Sequence, residues 1–254
     1  MRDFTLRIYS LLLAAIKKSG YAPMTYEQFV TGGQRGRAYI LRHDVDKLPE
    51  NSLKIARLES EAGMKGTYYF RIVKESYHPE IIRTIVELGH EIGYHYEDLA
   101  LCHGDYQKAY EQFQVNLGQF RTFYPVKTIC MHGSPLSRWD NRLLWEKYDY
   151  KKSGILAEPY FDTDFSKVYY LTDTSRMWNG RGYSVRDKVN SNFDVSVKST
   201  FELIEKLNAD LIPAQVMQNI HPQRWTDDVM PWYKELVLQN LKNVVKGVVS
   251  KMKK

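Results

Sequence analysis

Cysteine is scarce in this chain of 254 residues. Only Cys102 and Cys130 occur, far apart and with no CxxC or Cys/His spacing, which argues against a cysteine-built structural zinc site. A single disulfide is open to the chain, but a protein of this length builds its core without one, and two reduced, mostly buried thiols are expected. Long hydrophobic runs are also missing. No stretch approaches the roughly twenty apolar residues that span a bilayer, so stable membrane insertion is not expected. Low-complexity linkers and internal repeats are absent too, which favours one domain over residues 1–254. Charge of one sign is in small excess, at +6. Five lysines (Lys242, Lys246, Lys251, Lys253, Lys254) and no acid follow Glu235, and the remainder is close to neutral, which argues against a general nucleic-acid-binding surface.

Aromatic residues are plentiful, with 19 Tyr, 10 Phe and 5 Trp to build a core and line a cleft. Short apolar strands alternate with helical patterns, as repeated βα units do. Tyr39-Ile40-Leu41 runs into His43-Asp44-Val45-Asp46. Thr67 to Phe70, His90 to His95, Lys127 to Met131, Ile155 to Ala157, Val168 to Leu171 and Leu211 to Ile220 read as further strands. Helices are expected over Glu50 to Ala62, from Pro79 to before Gly89, over Tyr106 to Phe123, from a cap at Asp140 or Asn141 through Trp145, and over Thr200 to Asn208. Seven or so strands in one domain argue for a closed or nearly closed α/β barrel, with an open doubly wound sheet as the competing architecture. The glycine loop Thr31 to Gly36 does not favour the latter: it precedes the first strand, whereas a dinucleotide loop must follow one.

Residues 1–38 form a lead-in. Phe4, Ile8, Leu11, Leu12 and Ala15 share one helical face, and Asp3 and Lys17-Lys18 stand where a signal peptide has neither acid nor lysine. An amphipathic helix capping the domain, in a cytoplasmic protein, is the expectation. Residues 229–254 place Val237, Leu241, Val244, Val245 and Val248 on one face of a basic amphipathic helix expected to pack on the barrel, with its lysines in water.

Polar residues gather where strands end. In an extended chain Asp44 and Asp46 face the same side, roughly 7 Å apart. Burying both as anions costs several kcal/mol each unless a cation is near. A metal ion removes the conflict; so does protonation of one carboxyl, or pairing with Arg42. His95 ends a later strand, 49 residues after Asp46, about two βα units. That spacing brings both residues to the same mouth of a barrel, where active sites form. His132 and His221 also follow apolar strands directly. Asp173 and Arg176 follow another, and either orient a catalytic group or form a plain salt bridge. Arg224 and Trp225 lie just beyond His221. Trp178 and Trp225 either stack on a substrate or pack in the core.

These residues resemble the NodB-type polysaccharide deacetylase family, over roughly residues 38 to 225. Tyr39 to Asp46 is similar to the family's hydrophobic strand running into Thr-Phe-Asp-Asp, with the acids split here by Val45. Gly66-Thr67-Tyr68-Tyr69-Phe70 resembles its Ala-Thr-Phe-Phe strand. Gly89-His90-Glu91-Ile92-Gly93-Tyr94-His95 resembles its Gly-His-Glu-Ile-Gly-Asn-His, and Ile220-His221 its late Leu-His pair. The resemblance implies a distorted (β/α) barrel that removes an acyl group from an N-acylated sugar, using a divalent metal ion, with zinc expected. Carried over, Asp44 is the general base, Asp46 and His95 are metal ligands, and His221 is the general acid; the roles of the two acids are open to exchange.

Two departures stand out. The family's second motif places another histidine four residues after the first, where this chain has Leu99. Glu97, Asp98 and His103 are the candidate replacements, Glu97 foremost because it lies closest to the strand end. The family's Arg-x-Pro-Tyr-Gly motif has no direct counterpart; His132-Gly133-Ser134-Pro135 stands in its place, with His132 a supporting residue. The rival expectation is a barrel that has lost hydrolysis and binds a glycan or protein partner. A third is hydrolysis of a non-sugar amide. The sequence does not fix an oligomeric state.

Overall fold

In the computed structural model, residues 2–32, 36–134, 137–178, 186–187 and 189–252 are described, with side chains through residue 243. The centre of the expected glycine loop, Pro135, and the side chains of Val244, Val245 and Val248 lie outside the described residues.

Helix α1 (Leu6–Lys18) is capped by the Thr5 side chain and followed by β1 (Ala22–Met24) and α2 (Tyr26–Thr31). Then come β2 (Ala38–Val45), α3 (Pro49–Glu61), β3 (Thr67–Phe70), α4 (Pro79–Glu87) and β4 (Glu91–Tyr96). Pro79 occupies the first turn of α4, where its missing N–H costs nothing. The short α5 (Asp98–Leu101) leads to α6 (Tyr106–Arg121), which Asp105 caps, and to β5 (Ile129–Met131). A 3₁₀ turn at Asn141–Glu146, capped by Asp140, stands where a helix was expected. The chain closes with α7 (Pro159–Asp162), β6 (Tyr169–Thr172), α8 (Thr200–Asn208), β7 (Gln215–Ile220) and α9 (Val229–Met252).

All strand pairs are parallel, in the order β5-β4-β3-β2-β7-β6. β7 takes one edge of β2. The other is shared: β1 pairs with Ala38 to Ile40 and β3 with Arg42 to Val45. The expected strand at Ile155 to Ala157 reduces to one bridge between Ala157 and Thr128, and β1, which the sequence reading missed, makes up the seven.

The sheet is rolled. Three strand spacings in a flat sheet would hold β2 and β5 about 14 Å apart, yet Arg42 Nη2 reaches Cys130 Sγ at 2.8 Å. The architecture is a distorted (β/α) barrel, open between β5 and β6. Its floor is apolar: Tyr26, Phe29, Ala38, Ile40, Ala157, Phe165, Val168 and Met217 cluster there. The opposite parity of β2 (Tyr39, Leu41, Val45) faces the larger core between sheet and helices. Inward polar residues therefore stack above the floor, toward the carboxyl ends of the strands.

The terminal helices differ in outcome. α1 buries Ile8, Leu12 and Ala15 against α8 as expected, though Leu11 is exposed. α9 is rotated from the expected orientation: Val237 and Leu241 are 56% and 60% exposed, whereas Gln239 and Asn243 are buried. The reason is a hydrogen-bond demand. Asn243 Nδ2 donates to the Ser175 carbonyl at 3.0 Å and Asn243 Oδ1 accepts from Gln239 Nε2 at 2.8 Å, so a polar face docks on the strained turn at Thr174–Arg176. No described helix is long and apolar enough to cross a membrane.

Candidate functional site

Strand alternation on β2 sends Arg42 and Asp44 inward. Arg42 donates to both Asp44 oxygens, from Nε at 3.1 Å and Nη2 at 2.9 Å. Nη2 also lies 3.2 Å from Tyr160 Oη, and Asn219 Nδ2 donates to Asp44 Oδ2 at 2.9 Å. Arg42 and Asp44 are both buried. Burial alone would raise the Asp44 pKa; the Arg42 guanidinium, with His95 and His221 behind it, outweighs burial and holds the carboxyl well below its usual range. Of the ways open to resolve two neighbouring acids, pairing with Arg42 is therefore realised for Asp44.

Asp46 lies one residue past β2. Its Oδ2 accepts from Gln223 Nε2 at 3.0 Å, while its buried Oδ1 has no hydrogen-bond partner. Three imidazoles surround this carboxylate. His95 Nε2 and His132 Nε2 stand 3.7 and 3.6 Å from Oδ1, and His221 Nε2 stands 4.0 Å from Oδ2. Burial pushes the Asp46 pKa up, but the three imidazoles, His132 first, bring it down to about 2 against opposition from Asp44.

The imidazoles are fixed from behind. His95 Nδ1 is 3.0 Å from the Cys130 carbonyl, to which it donates. Burial lowers the His95 pKa to about 4 despite the pull of Asp44, so the ring is neutral near pH 7. His221 Nδ1 meets Asp173 Oδ1 at 2.7 Å. Asp173 is fully buried and also accepts from Arg224 Nη1 at 2.7 Å and Trp225 Nε1 at 2.8 Å. Burial and Arg224 push the His221 pKa down, yet Asp173 and Asp46 overcome both and leave it raised. Two histidines at one mouth are thus tuned in opposite directions.

The structure brings together Asp44, Asp46, His95, His132, His221, Asp173 and Arg224. Glu97 is adjacent but engaged: Arg71 Nη2 holds Oε1 at 2.6 Å and His132 Nδ1 holds Oε2 at 2.7 Å. Arg176 does not join the cluster. Its guanidinium lies 4.5 Å from the Trp232 ring and 5.2 Å from Phe4. Trp178 and Trp225 are buried and packed against each other and Phe4, so the stacking role is withdrawn for both; Trp225 contributes its indole N–H to Asp173 instead. Asp98 is buried among Tyr94 and Asn116, and His103 is exposed.

Sequence reasoning missed Asn219, Gln223 and Arg71. Asn219 had a signal: it shares the inward parity of β7 with Met217 and His221. Gln223 and Arg71 lie in turns beyond strand ends, where no periodicity marks direction.

No protein-family model and no curated protein matches the chain. Among solved structures, the chain is similar to the Streptococcus pyogenes deacetylase PplD in complex with acetate, at 11% identity and a TM-score of 0.45, over 59% of this chain and 73% of that one. It is also similar to a family 4 carbohydrate esterase from Streptomyces lividans in complex with acetate, at 14% identity and a TM-score of 0.41, over 84% of this chain and 90% of that one.

Proposed function

We propose that the protein is a metal-dependent hydrolase that removes an acyl group from an N-acylated sugar or a related non-peptide amide. One observation carries the reading. Four carboxylates lie within 4 Å of the His95, His132 and His221 rings, and three of them have a guanidinium: Asp44 has Arg42, Glu97 has Arg71 and Asp173 has Arg224. Asp46 has none among the described residues; it has the amide of Gln223, an orphaned buried oxygen and imidazoles whose charge is optional. A half-buried anion with its inner oxygen in that state calls for a mobile cation. The fit is chemical as well as electrostatic, because His95 turns an unprotonated Nε2 toward the same oxygen while its Nδ1 is anchored behind.

A divalent ion held by Asp46 and His95, zinc in this reading, supplies Lewis acidity toward the acyl carbonyl and the attacking water. The remaining work falls to the chain. Asp44 accepts the proton of the attacking water, and Arg42 keeps it anionic and aimed. His221, whose imidazolium form Asp173 favours, donates from Nε2 to the departing nitrogen, which is too poor a leaving group as an anion. Asp173 fixes the His221 tautomer by accepting from Nδ1 and stabilises the imidazolium. The resemblance of Gly89 to His95 and of Tyr39 to Asp46 to NodB-type motifs supports an acylated amino sugar as substrate.

The test is acetate release from N-acetylated glucosamine oligomers by protein loaded with zinc, manganese or cobalt. Asp44→Asn and His221→Ala should each lower turnover by about 10²–10⁴. Oligomer binding without acetate release under any metal would support the rival reading, a ligand-binding barrel.

A further inference from the structure

We propose that His132 is a ligand of the metal ion, in the role that the family resemblance gives to the position occupied by Leu99, and that Glu97 orients His132 instead of binding the ion. The inference rests on the hydrolase reading above. Leu99 is buried in the hydrophobic core between sheet and helices and has no donor atom. The missing imidazole arrives from another strand. The His132 backbone N–H donates to the Tyr96 carbonyl at 2.8 Å, which extends the β4–β5 pairing by one residue. Since His95 pairs with Cys130, alternation gives His132 the same inward parity as Cys130, one step nearer the mouth.

The hydrogen bonds then fix which nitrogen faces the site. His132 Nδ1 lies 2.7 Å from Glu97 Oε2 and 3.1 Å from Ser134 Oγ. Glu97 cannot swing away, because Arg71 grips its other oxygen from both Nε and Nη2, at 2.7 and 2.6 Å. In the neutral ring, Nδ1–H therefore points to the carboxylate, and the Nε2 lone pair points to Asp46 Oδ1 at 3.6 Å. His95 repeats the arrangement, with Nδ1 on the Cys130 carbonyl and Nε2 at 3.7 Å from the same oxygen. Two lone pairs directed at an anionic oxygen that has no hydrogen-bond donor repel one another unless a cation lies between them. Donors 2.0–2.1 Å from a tetrahedral zinc ion are about 3.3–3.4 Å apart, a few tenths of an ångström inside the two separations from Asp46 Oδ1, and the two rings, 5.2 Å apart between centroids, would close on the ion. Two imidazoles and a carboxylate, each imidazole backed by an oxygen acceptor, form a donor set suited to zinc and neighbouring divalent ions.

A competing set lies one layer deeper. Ligand atoms of Asp44, His95 and Cys130 fall within 4.8 Å of one another. Arg42 disqualifies it: the guanidinium is 2.8 Å from Cys130 Sγ and 2.9 Å from Asp44 Oδ2, so a fixed cation already fills the space a second would need.

The experiment is titration of chelator-stripped protein with cobalt(II) and zinc, read by calorimetry and by the visible spectrum of the cobalt form, with circular dichroism confirming each variant's fold. Wild type should bind one ion per chain, with no thiolate-to-cobalt charge-transfer band. His132→Ala, and His132→Gln as the closer replacement in size, should weaken binding by more than about 100-fold. Glu97→Gln should weaken it about 10-fold, as an orienting partner does, and Cys130→Ser should leave it within about threefold. Binding unchanged in both His132 variants, a thiolate band, or equal losses in the Glu97 and His132 variants would overturn the assignment while leaving a metal-dependent hydrolase intact. A wild-type protein that binds no ion would overturn the hydrolase reading and this assignment with it.

Discussion

Replacing Arg42 by methionine tests whether the guanidinium is what keeps Asp44 charged. Arg42 makes two hydrogen bonds to Asp44, at 2.9 and 3.1 Å, and Asp44 is 4% exposed, so water cannot replace them. The next basic group, His95 at 3.9 Å, is neutral near pH 7 because burial lowers its pKa to about 4, and His221 acts on Asp44 only from farther off. Removing one partner of a buried pair costs about 3–5 kcal/mol, and Arg42→Met should lose that much at pH 7. Adding Asp44→Asn to Arg42→Met removes the stranded charge and retains an amide beside Asn219, so a double-mutant cycle should give a coupling of about 2–4 kcal/mol. The pH dependence has a definite sign. In wild type the folded pKa of Asp44 is depressed, so its stabilising contribution is present above the unfolded value near 3.9 and is lost only as pH falls below it. In Arg42→Met burial prevails and the folded pKa rises, so stability is greatest below the unfolded value and declines as pH climbs. The gap between the two proteins should therefore widen from about pH 4 to pH 7. Urea unfolding in the presence of chelator measures it. A coupling below about 0.5 kcal/mol, or a gap that narrows toward pH 7, would refute the reasoning.

Asp98 offers a second pH signature: burial raises its pKa to about 7, against hydrogen bonds from Tyr94 and Asn116. A raised carboxyl favours the folded state below its unfolded pKa and withdraws that support as pH rises to 7, so Asp98→Asn should gain relative to wild type over that range, by up to about 4 kcal/mol at the upper end; parallel stability profiles in urea would count against it. Gly93→Ala tests the packing beneath the site. A methyl group there would overlap the Tyr69 ring and stand 2.9 Å from the Thr128 carbonyl oxygen, and Tyr69 is tethered by its hydroxyl to Thr128 Oγ1 at 2.9 Å. Thermal melting should show a loss of roughly 1–3 kcal/mol, and an unchanged midpoint would mean that the ring moves freely.

The inward placement of Asp44 was legible because alternation on a strand is a local property: once Tyr39, Ile40 and Leu41 are read as buried strand, the parity of Arg42 and Asp44 follows. His95, His132 and His221 were legible for a related reason, since each ends or directly follows an apolar strand and parallel strands of a barrel end at one mouth. What local pattern did not reveal is which side chain faces which across neighbouring strands. Glu97 was favoured as a ligand because it lies nearest the end of β4, yet proximity along the chain says nothing of Arg71, which comes from the end of β3 and takes one of its oxygens. Arg176 was grouped with Asp173 by nearness in sequence, but positive φ angles at Ser175 and Arg176 turn its side chain toward Trp232. The stripe on α9 failed differently: periodicity identifies an amphipathic helix without saying that a bare carbonyl at Ser175 waits for an amide.

Two of the three arginine pairs bridge the ends of neighbouring strands. Arg71, just after β3, meets Glu97, just after β4, and Arg224, in the turn beyond β7, meets Asp173, just after β6. Asp46, after β2, has β3 on one side and β7 on the other, so Arg71 is its natural neighbour as well. Arg71 does reach it, but at the backbone: Nη1 lies 3.3 Å from the Asp46 carbonyl oxygen, while Nε and Nη2 go to Glu97. On the other side the first residue past β7 is His221, already committed to Asp173 through Nδ1. Each guanidinium within reach is thus spent on another carboxylate, and the charge of Asp46 is left facing Nε2 atoms. Moving Arg71 from Glu97 to the Asp46 carboxylate would do two things at once: it would untether Glu97, which holds His132 Nδ1, and it would place a guanidinium on Asp46. The orientation of one arginine side chain therefore bears both on Glu97, which orients His132, and on the charge of Asp46 that His132 faces.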